Sequence, residues 1–322
     1  MSFASVAGQE PAVATLETAL RSGRVHHAYR FEGPDGVGKT LAAVELARVL
    51  LCEAPAPLAC GACSACRRVS AGRSEEQRLS VHPDLLLVQR GIYKGVLAAG
   101  EASGISIEQV RRIVLSRVGF PPHEGRALVC LVQHADELTP SAANALLKTL
   151  EEPPQRTFFV LITSRPSKLL DTIRSRTLPV RFGPLPERVI ADLLAVRGLD
   201  SSLALLAEGS MRRALELADP ELLAERRAFA DAVLGGLSAP DLVGALAFSE
   251  RLKLERQELA GLLEHLAQTL AAAARTAAKS AADQALRCAR QHEIVEQTRQ
   301  NLELNMNPQL ALEALLVKLR RV

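Results

Sequence analysis

The sequence predicts a parallel α/β domain that cradles phosphate, followed by an all-helical C-terminal region, and three observations carry this. Short apolar runs alternate with helical segments up to about residue 180. A glycine-rich loop, Gly33-Pro34-Asp35-Gly36-Val37-Gly38-Lys39-Thr40, follows the first of those runs. After Pro220 leucines recur at spacings of three and four, and no β-rich run appears.

The elements follow in order. Pro11–Ser22 reads as a helix, and Ala28–Glu32 as a short strand ending at Gly33. The stretch after Lys39, with Leu41–Leu51 at its centre, is a second helix. Asp84–Gln89 is a strand and Ile107–Arg117 a helix. Ala127–Gln133 and Phe158–Thr163 are apolar runs suited to central strands covered on both faces. Between them, Ser141–Glu151 is a helix that stops at Pro153 and Pro154, which cannot extend it. A turn-rich hinge, Gly183–Pro186, then leads into short helices up to about Asp219. Beyond it, Leu259, Leu262, Leu263, Leu266 and Leu270, then Leu310, Leu312, Leu315, Leu316 and Leu319, form helical stripes expected to pack a core. Three domains are expected: 1–182, 183–219 and 220–322.

Composition excludes several classes of function. The 322 residues carry 39 basic and 36 acidic side chains, a net charge of +3, and 48% are hydrophobic. That balance excludes general disorder. The near-neutral charge, with 3% aromatics and no Trp, argues against a stand-alone nucleic-acid binder with a stacking platform. No uncharged run approaches 18 residues, so no transmembrane helix and no membrane partner is expected. The start, MSFASVAGQEPAV, has neither the basic opening nor the apolar core of a signal peptide. A cytoplasmic location with reduced thiols is the expectation.

The loop at Gly33–Thr40 fits GxxxxGK[ST] in full. Gly33, Gly36 and Gly38 permit a wrapped backbone that aims N–H groups at phosphate oxygens, and the following helix adds the positive end of its dipole. Lys39 would reach the β- and γ-phosphates, and the Thr40 hydroxyl would ligate Mg²⁺. ATP or ADP binding is therefore expected. Hydrolysis further requires an acid at the end of a neighbouring strand. The run Ala127–Val132 is followed instead by Gln133 and His134, neither of which is a hard anionic ligand. Asp136 and Glu137 come later, in a turn expected to be solvated, with Asp136 as the alternative metal acid. Weak or absent hydrolysis is expected.

Cys52, Cys60, Cys63 and Cys66 fall within fifteen residues just after the P-loop helix. Four soft thiolates at this spacing suit one tetrahedral Zn²⁺ in a module at about 52–66. Free thiols or an iron–sulfur cluster are the alternatives. A closed four-thiolate shell has no open position, so the ion would be structural. Cys130 and Cys288 read as ordinary core cysteines.

Ala142–Pro154 (AANALLKTLEEPP), taken with the P-loop and the four-cysteine insert in this order, closely resembles bacterial clamp-loader subunits of the AAA+ class. Thr163-Ser164-Arg165-Pro166, Leu169–Arg176 (LLDTIRSR), His82-Pro83-Asp84 and Gly209-Ser210-Met211-Arg212 extend the resemblance over essentially the whole chain. It implies an AAA+ P-loop domain with a zinc insert, a small helical lid domain and a C-terminal collar domain for oligomerisation. The family's Ser-Arg-Cys motif falls on Ser175-Arg176-Thr177, which keeps the arginine and departs at the third residue. The resemblance implies that Arg176 is a finger reaching the ATP of an adjacent subunit, since a guanidinium stays charged and forks across phosphate oxygens. It implies Thr163 at the sensor-one position and Arg212 at the sensor-two position. Counting back from Asn144 places the family's metal-binding acids at Gln133 and His134. The implied partners are gamma/tau and delta clamp-loader subunits, and through them the sliding clamp and primed DNA of the DNA polymerase III holoenzyme, a nucleotidyltransferase complex. An ATP-hydrolysing motor subunit of the gamma/tau type is the competing reading, disfavoured by Gln133 and His134.

Overall fold

In a computed structural model of the chain, residues 3–54, 58–71, 82–90, 104–236, 252, 254–278, 281–303 and 306–321 are described. They form two compact units, Met1–Ala218 and Asp219–Val322.

The first unit is built on five parallel strands: β1 (Ala28–Glu32), β2 (Leu85–Val88), β3 (Leu128–Val132), β4 (Thr157–Thr163) and β5 (Leu178–Arg181), in the spatial order β2-β3-β4-β1-β5. Alternate residues of the central strands enter two different cores. Tyr29, Phe31, Val129, Leu131, Val160 and Ile162 pack on one face with Leu16 and Leu46. Leu128, Cys130, Val132, Phe159 and Leu161 pack on the other with Val110, Val114, Leu146 and Leu150. Burial on both faces is the reason these strands lack polar alternation.

Helices Glu10–Arg21 and Lys39–Leu51 cover the first face. The second is covered by Pro140–Glu151, which Thr139 caps by accepting the Ala142 N–H at 3.3 Å, with Pro140 opening the first turn. A further segment on this face is α-helical over Ile107–Gln109, π-helical over Val110–Leu115 and α-helical again over Ser116–Val118. A single continuous α-helix over Ile107–Arg117 therefore does not form. Edge strand β5 lies where the sequence suggested none, because Pro179 and a mostly exposed pattern hide its strand character.

The short helices after the hinge are Glu187–Val196, a 3₁₀ turn Ser201–Leu206, and Met211–Ala218. Their Ile190, Leu194, Ala204, Ala207 and Ala214 join the first core, which makes them continuous with the sheet unit.

The second unit contains helices Pro220–Gly236, Arg256–Ala277, Ala282–Glu303 and Pro308–Leu319, while residues 237–251 of the expected 220–322 domain lie outside the described residues. Leu259, Leu262, Leu263, Leu266 and Leu270 are buried together with Leu312, Leu315, Leu316 and Leu319. Each such leucine adds about 1.5–3 kcal/mol relative to exposure. Leu310 departs from the expected stripe: it sits on the opposite side of its helix and is 55% exposed.

Candidate functional site

The phosphate loop leaves the carboxyl end of β1 and enters helix Lys39–Leu51 through Gly38, whose φ of 98° is left-handed. Gly36, at φ 76°, is needed for space as well as conformation: a Cβ there would lie 2.2 Å from Ser210 Oγ and 2.6 Å from Arg212 Cβ. A Cβ on Gly33 would lie 2.1 Å from the Phe182 carbonyl oxygen. The Met211 N–H donates to the Gly36 carbonyl at 3.0 Å, so the helix carrying Arg212 starts against the loop. Arg212 itself is largely exposed and lies 3.4 Å from Glu216. Thr40 is exposed on the first turn after the loop.

Lys39 is buried and folds over the loop, donating to the carbonyls of Gly33 at 2.6 Å and Pro34, with Asp35 at 3.6 Å. Burial lowers its pKa from the ordinary lysine range, opposed by the negative charges of Asp35 and Asp136. Gln9 ties this region together, as its amide nitrogen donates to Val37 O at 3.1 Å and Gly183 O at 2.7 Å, while its oxygen accepts the Gly183 N–H at 3.1 Å. A buried glutamine satisfied on both sides fixes the loop relative to the hinge.

At the end of β3, Gln133 and His134 occupy the two positions after the apolar run. His134 is left-handed, at φ 48°, and starts a 3₁₀ turn over Ala135–Glu137. Asp136 in that turn is not solvated: its side chain is 1% exposed. One carboxylate oxygen accepts the Thr163 hydroxyl at 2.6 Å, and the other accepts Arg165 Nε at 2.9 Å. This departs from the solvated turn expected from sequence. The carboxylate is tied to a hydroxyl and a guanidinium, an arrangement that orients Thr163 and pairs the acid with a positive charge.

Arg176 lies at the other end of the sheet. Its loop precedes β5, whose Leu178 pairs with Tyr29, so Arg176 faces the amino-terminal edge beside His26 and His27. The phosphate loop leaves the opposite edge. Thr177 explains its own departure from the family pattern: its hydroxyl donates to Ile173 O at 2.9 Å and accepts from buried Arg30 at 2.8 Å, an acceptor role that suits a hydroxyl.

The four cysteines converge. Their sulfurs all lie within 4.8 Å of one another, with Cys52–Cys63 at 3.9 Å and Cys60–Cys66 at 4.0 Å. Four thiolates about 2.3 Å from a central Zn²⁺ would be about 3.8 Å apart, so the donor set fits a tetrahedral soft-ligand metal. Backbone N–H groups of Ala62 and Cys63 point at Cys60 Sγ at 3.4 and 3.3 Å and lower that thiol to about 6. Burial pushes the Cys66 thiol up to about 12. Cys130 is likewise pushed up to about 12 by complete burial, which makes it an inert core residue.

Several site residues had no strong signal in the sequence. Gln9 sits in an undistinguished loop, and the Asp136–Arg165 pair joins residues 29 apart. Glu151 and Arg165 lie within the quoted segments Ala142–Pro154 and Thr163–Pro166, but nothing in those segments marks them as the partners of Arg176 and Asp136.

A phosphate loop at the carboxyl end of β1, in a parallel sheet ordered β2-β3-β4-β1-β5 and touched by the start of helix Met211–Ala218, defines a P-loop protein of the AAA+ class. Residues 8–186 match the family described as DNA polymerase III, delta subunit. The chain belongs to that family, and so to the clamp-loader subunits of DNA polymerase III. It is 36% identical over 220 residues to DNA polymerase III subunit delta' of Bacillus subtilis, covering 66% of this chain and 60% of that one. It is 37% identical over 229 residues to DNA polymerase III subunit tau of Escherichia coli, covering 67% and 32%. The match therefore spans less than two thirds of either relative. Among solved structures it is similar to a DNA polymerase III gamma subunit-related protein of Thermotoga maritima, with a TM-score of 0.43, 16% identity, and coverage of 95% and 98%.

Proposed function

We propose that the chain is a delta-prime-type clamp-loader subunit that serves its complex by completing a neighbour's ATP site, with little turnover of its own. The observation that carries this reading is the division of labour between the two edges of the sheet. At the carboxyl edge a phosphate loop is present, but Gln133 and His134 supply no carboxylate and Asp136 is held by Thr163 and Arg165. At the amino edge stands Arg176. Five residues of β1 separate the edges, about 17 Å of strand, which is more than one arginine side chain spans. Arg176 is thus suited to phosphate on another subunit and not to phosphate in its own loop.

In this reading Gly33, Gly36, Gly38, Lys39 and Thr40 hold ATP or ADP, with Mg²⁺ carried by the nucleotide and Thr40, and Thr163 and Arg212 sense it. Arg176 is a finger acting in trans on a gamma/tau subunit. Cys52, Cys60, Cys63 and Cys66 hold a structural Zn²⁺. The short helices after residue 183 act as the lid, and the helices beyond 220 as the collar that joins the delta and gamma/tau subunits. The assembly, in the cytoplasm, places the sliding clamp on primed DNA.

Relatives named gamma/tau, tau/gamma or tau match at 34–38% identity, so an ATP-hydrolysing motor subunit is the second reading. Its metal acids would belong at 133 and 134, where this chain has Gln and His. The test is ATP hydrolysis by the purified chain and by its complex with gamma/tau and delta subunits from the same organism. Negligible turnover alone, and a complex rate lowered roughly 10³-fold or more per dependent site by Arg176→Ala, are expected. Robust turnover alone that is abolished by Lys39→Ala would establish the motor reading instead.

A further inference from the structure

Arg176 borders a cavity of about 600 Å³ lined by His26, His27, Leu150, Glu151, Ser175 and Thr177 among others. Its guanidinium is held from two sides. One terminal nitrogen donates to Thr172 O at 2.9 Å and Ser175 Oγ at 3.2 Å. The other pairs with the Glu151 carboxylate. Three of its five N–H donors are committed in this way, and two remain to meet an anion.

Glu151 is itself firmly placed. It ends helix Pro140–Glu151, one residue after buried Leu150, whose carbonyl meets His27 Nε2 at 3.0 Å. The Arg176–Glu151 pair is 33% and 46% exposed, so it adds little to folding stability. Its effect is on orientation. Fixing one nitrogen leaves the guanidinium plane free to swing about that point, whereas fixing the second defines the plane. A finger ordered before docking avoids the entropy of immobilising a long side chain when it meets phosphate.

We propose that Glu151 is the positioning residue of the finger, orienting the guanidinium of Arg176 toward a phosphate group held by the neighbouring subunit. This rests on the in-trans reading of Arg176. Glu151 touches no reacting atom and acts only through Arg176.

The test is steady-state ATP hydrolysis by the reconstituted complex, normalised to assembled complex by gel filtration. Glu151→Gln keeps the shape but removes the charge, and it is expected to lower kcat roughly 3- to 10-fold while KM for ATP is unchanged. Glu151→Asp is expected to recover part of that loss. Introduced beside Arg176→Ala, Glu151→Gln should cause no further loss, because its only route to the reaction is gone. An unchanged or raised kcat for Glu151→Gln, a raised KM, or an equal loss in the Arg176→Ala background overturns the proposal. If Arg176→Ala lowers the rate in the same experiment, the finger reading survives that failure. If Arg176→Ala changes nothing, both fall.

Discussion

Asp84 carries more of the local architecture than its place in a short His-Pro-Asp motif suggests. It is fully buried, and its carboxylate accepts the backbone N–H groups of His123, Glu124 and Gly125 at 2.6, 2.9 and 2.7 Å, with Arg117 at 3.4 Å. Burial alone would raise its pKa, but the three backbone donors outweigh that and hold it below the ordinary carboxylate range. A carboxylate with a depressed native pKa contributes stability that is full above its unfolded value, near 4, and is lost as pH falls through the native value. Asp84→Asn is therefore expected to lower stability at neutral pH by about 1–3 kcal/mol. The deficit should shrink as the wild type is acidified below pH ~4. Urea midpoints measured at pH 7 and at progressively lower pH check both parts, and a deficit that grows on acidification would contradict the sign.

At the scale of elements, the cysteine module is joined to the sheet unit by Ala65 and Val69, buried in the first core, and by polar contacts: Arg68 pairs with Glu124, and Arg126 donates to Ala54 O at 3.2 Å. Its own apolar core is small, comprising Cys52, Ala59 and Cys66 with a few half-buried neighbours. The Zn²⁺ proposed for so small a core would contribute its binding free energy directly to folding. One zinc per chain is expected in protein purified under reducing conditions, by elemental analysis. Stripping it with a chelator should expose thiols to a colorimetric reagent while far-UV circular dichroism stays largely unchanged, since of the four cysteines only Cys63 packs against a sheet core, and from its rim. Absence of zinc would remove the assignment. The cysteine spacing made this module legible in the sequence, but the helix Ser64–Ala71, which carries Cys66, was not. The central strands were legible for a related reason: full burial on both faces writes the unbroken apolar runs of β3 and β4, and β1, despite Arg30, forms over the expected Ala28–Glu32. β5 was illegible because an edge strand with proline does not need that run. Within the site, the phosphate loop could be read directly, whereas the burial of Asp136 could not. It arises from Thr163 and Arg165, on β4 and just beyond it, and only the fold brings them to the turn after β3.

Across the whole molecule, the hydrophobic cores divide as the chain does. The two cores flanking the sheet take residues from Phe3 to Ala214, whereas the helical core takes residues from Phe229 to Leu319, with none shared. A unit whose apolar residues close on themselves carries its own cooperative folding. The chemistry proposed for the chain falls entirely within Met1–Ala218, which holds the phosphate loop, the cysteine cluster and Arg176. The surface proposed for assembly, by contrast, lies on the helices of Asp219–Val322. A fragment ending at Ala218 is therefore expected to fold, to hold one zinc and to bind a fluorescent ATP analogue as the full chain does. It should nevertheless fail to co-elute with gamma/tau and delta subunits at concentrations where the full chain forms a stable complex. Circular dichroism melts, analogue titration and gel filtration separate the possibilities. Co-elution of the fragment would move the assembly surface into the sheet unit, and an unfolded fragment would show that the helical unit is required for the first to stand.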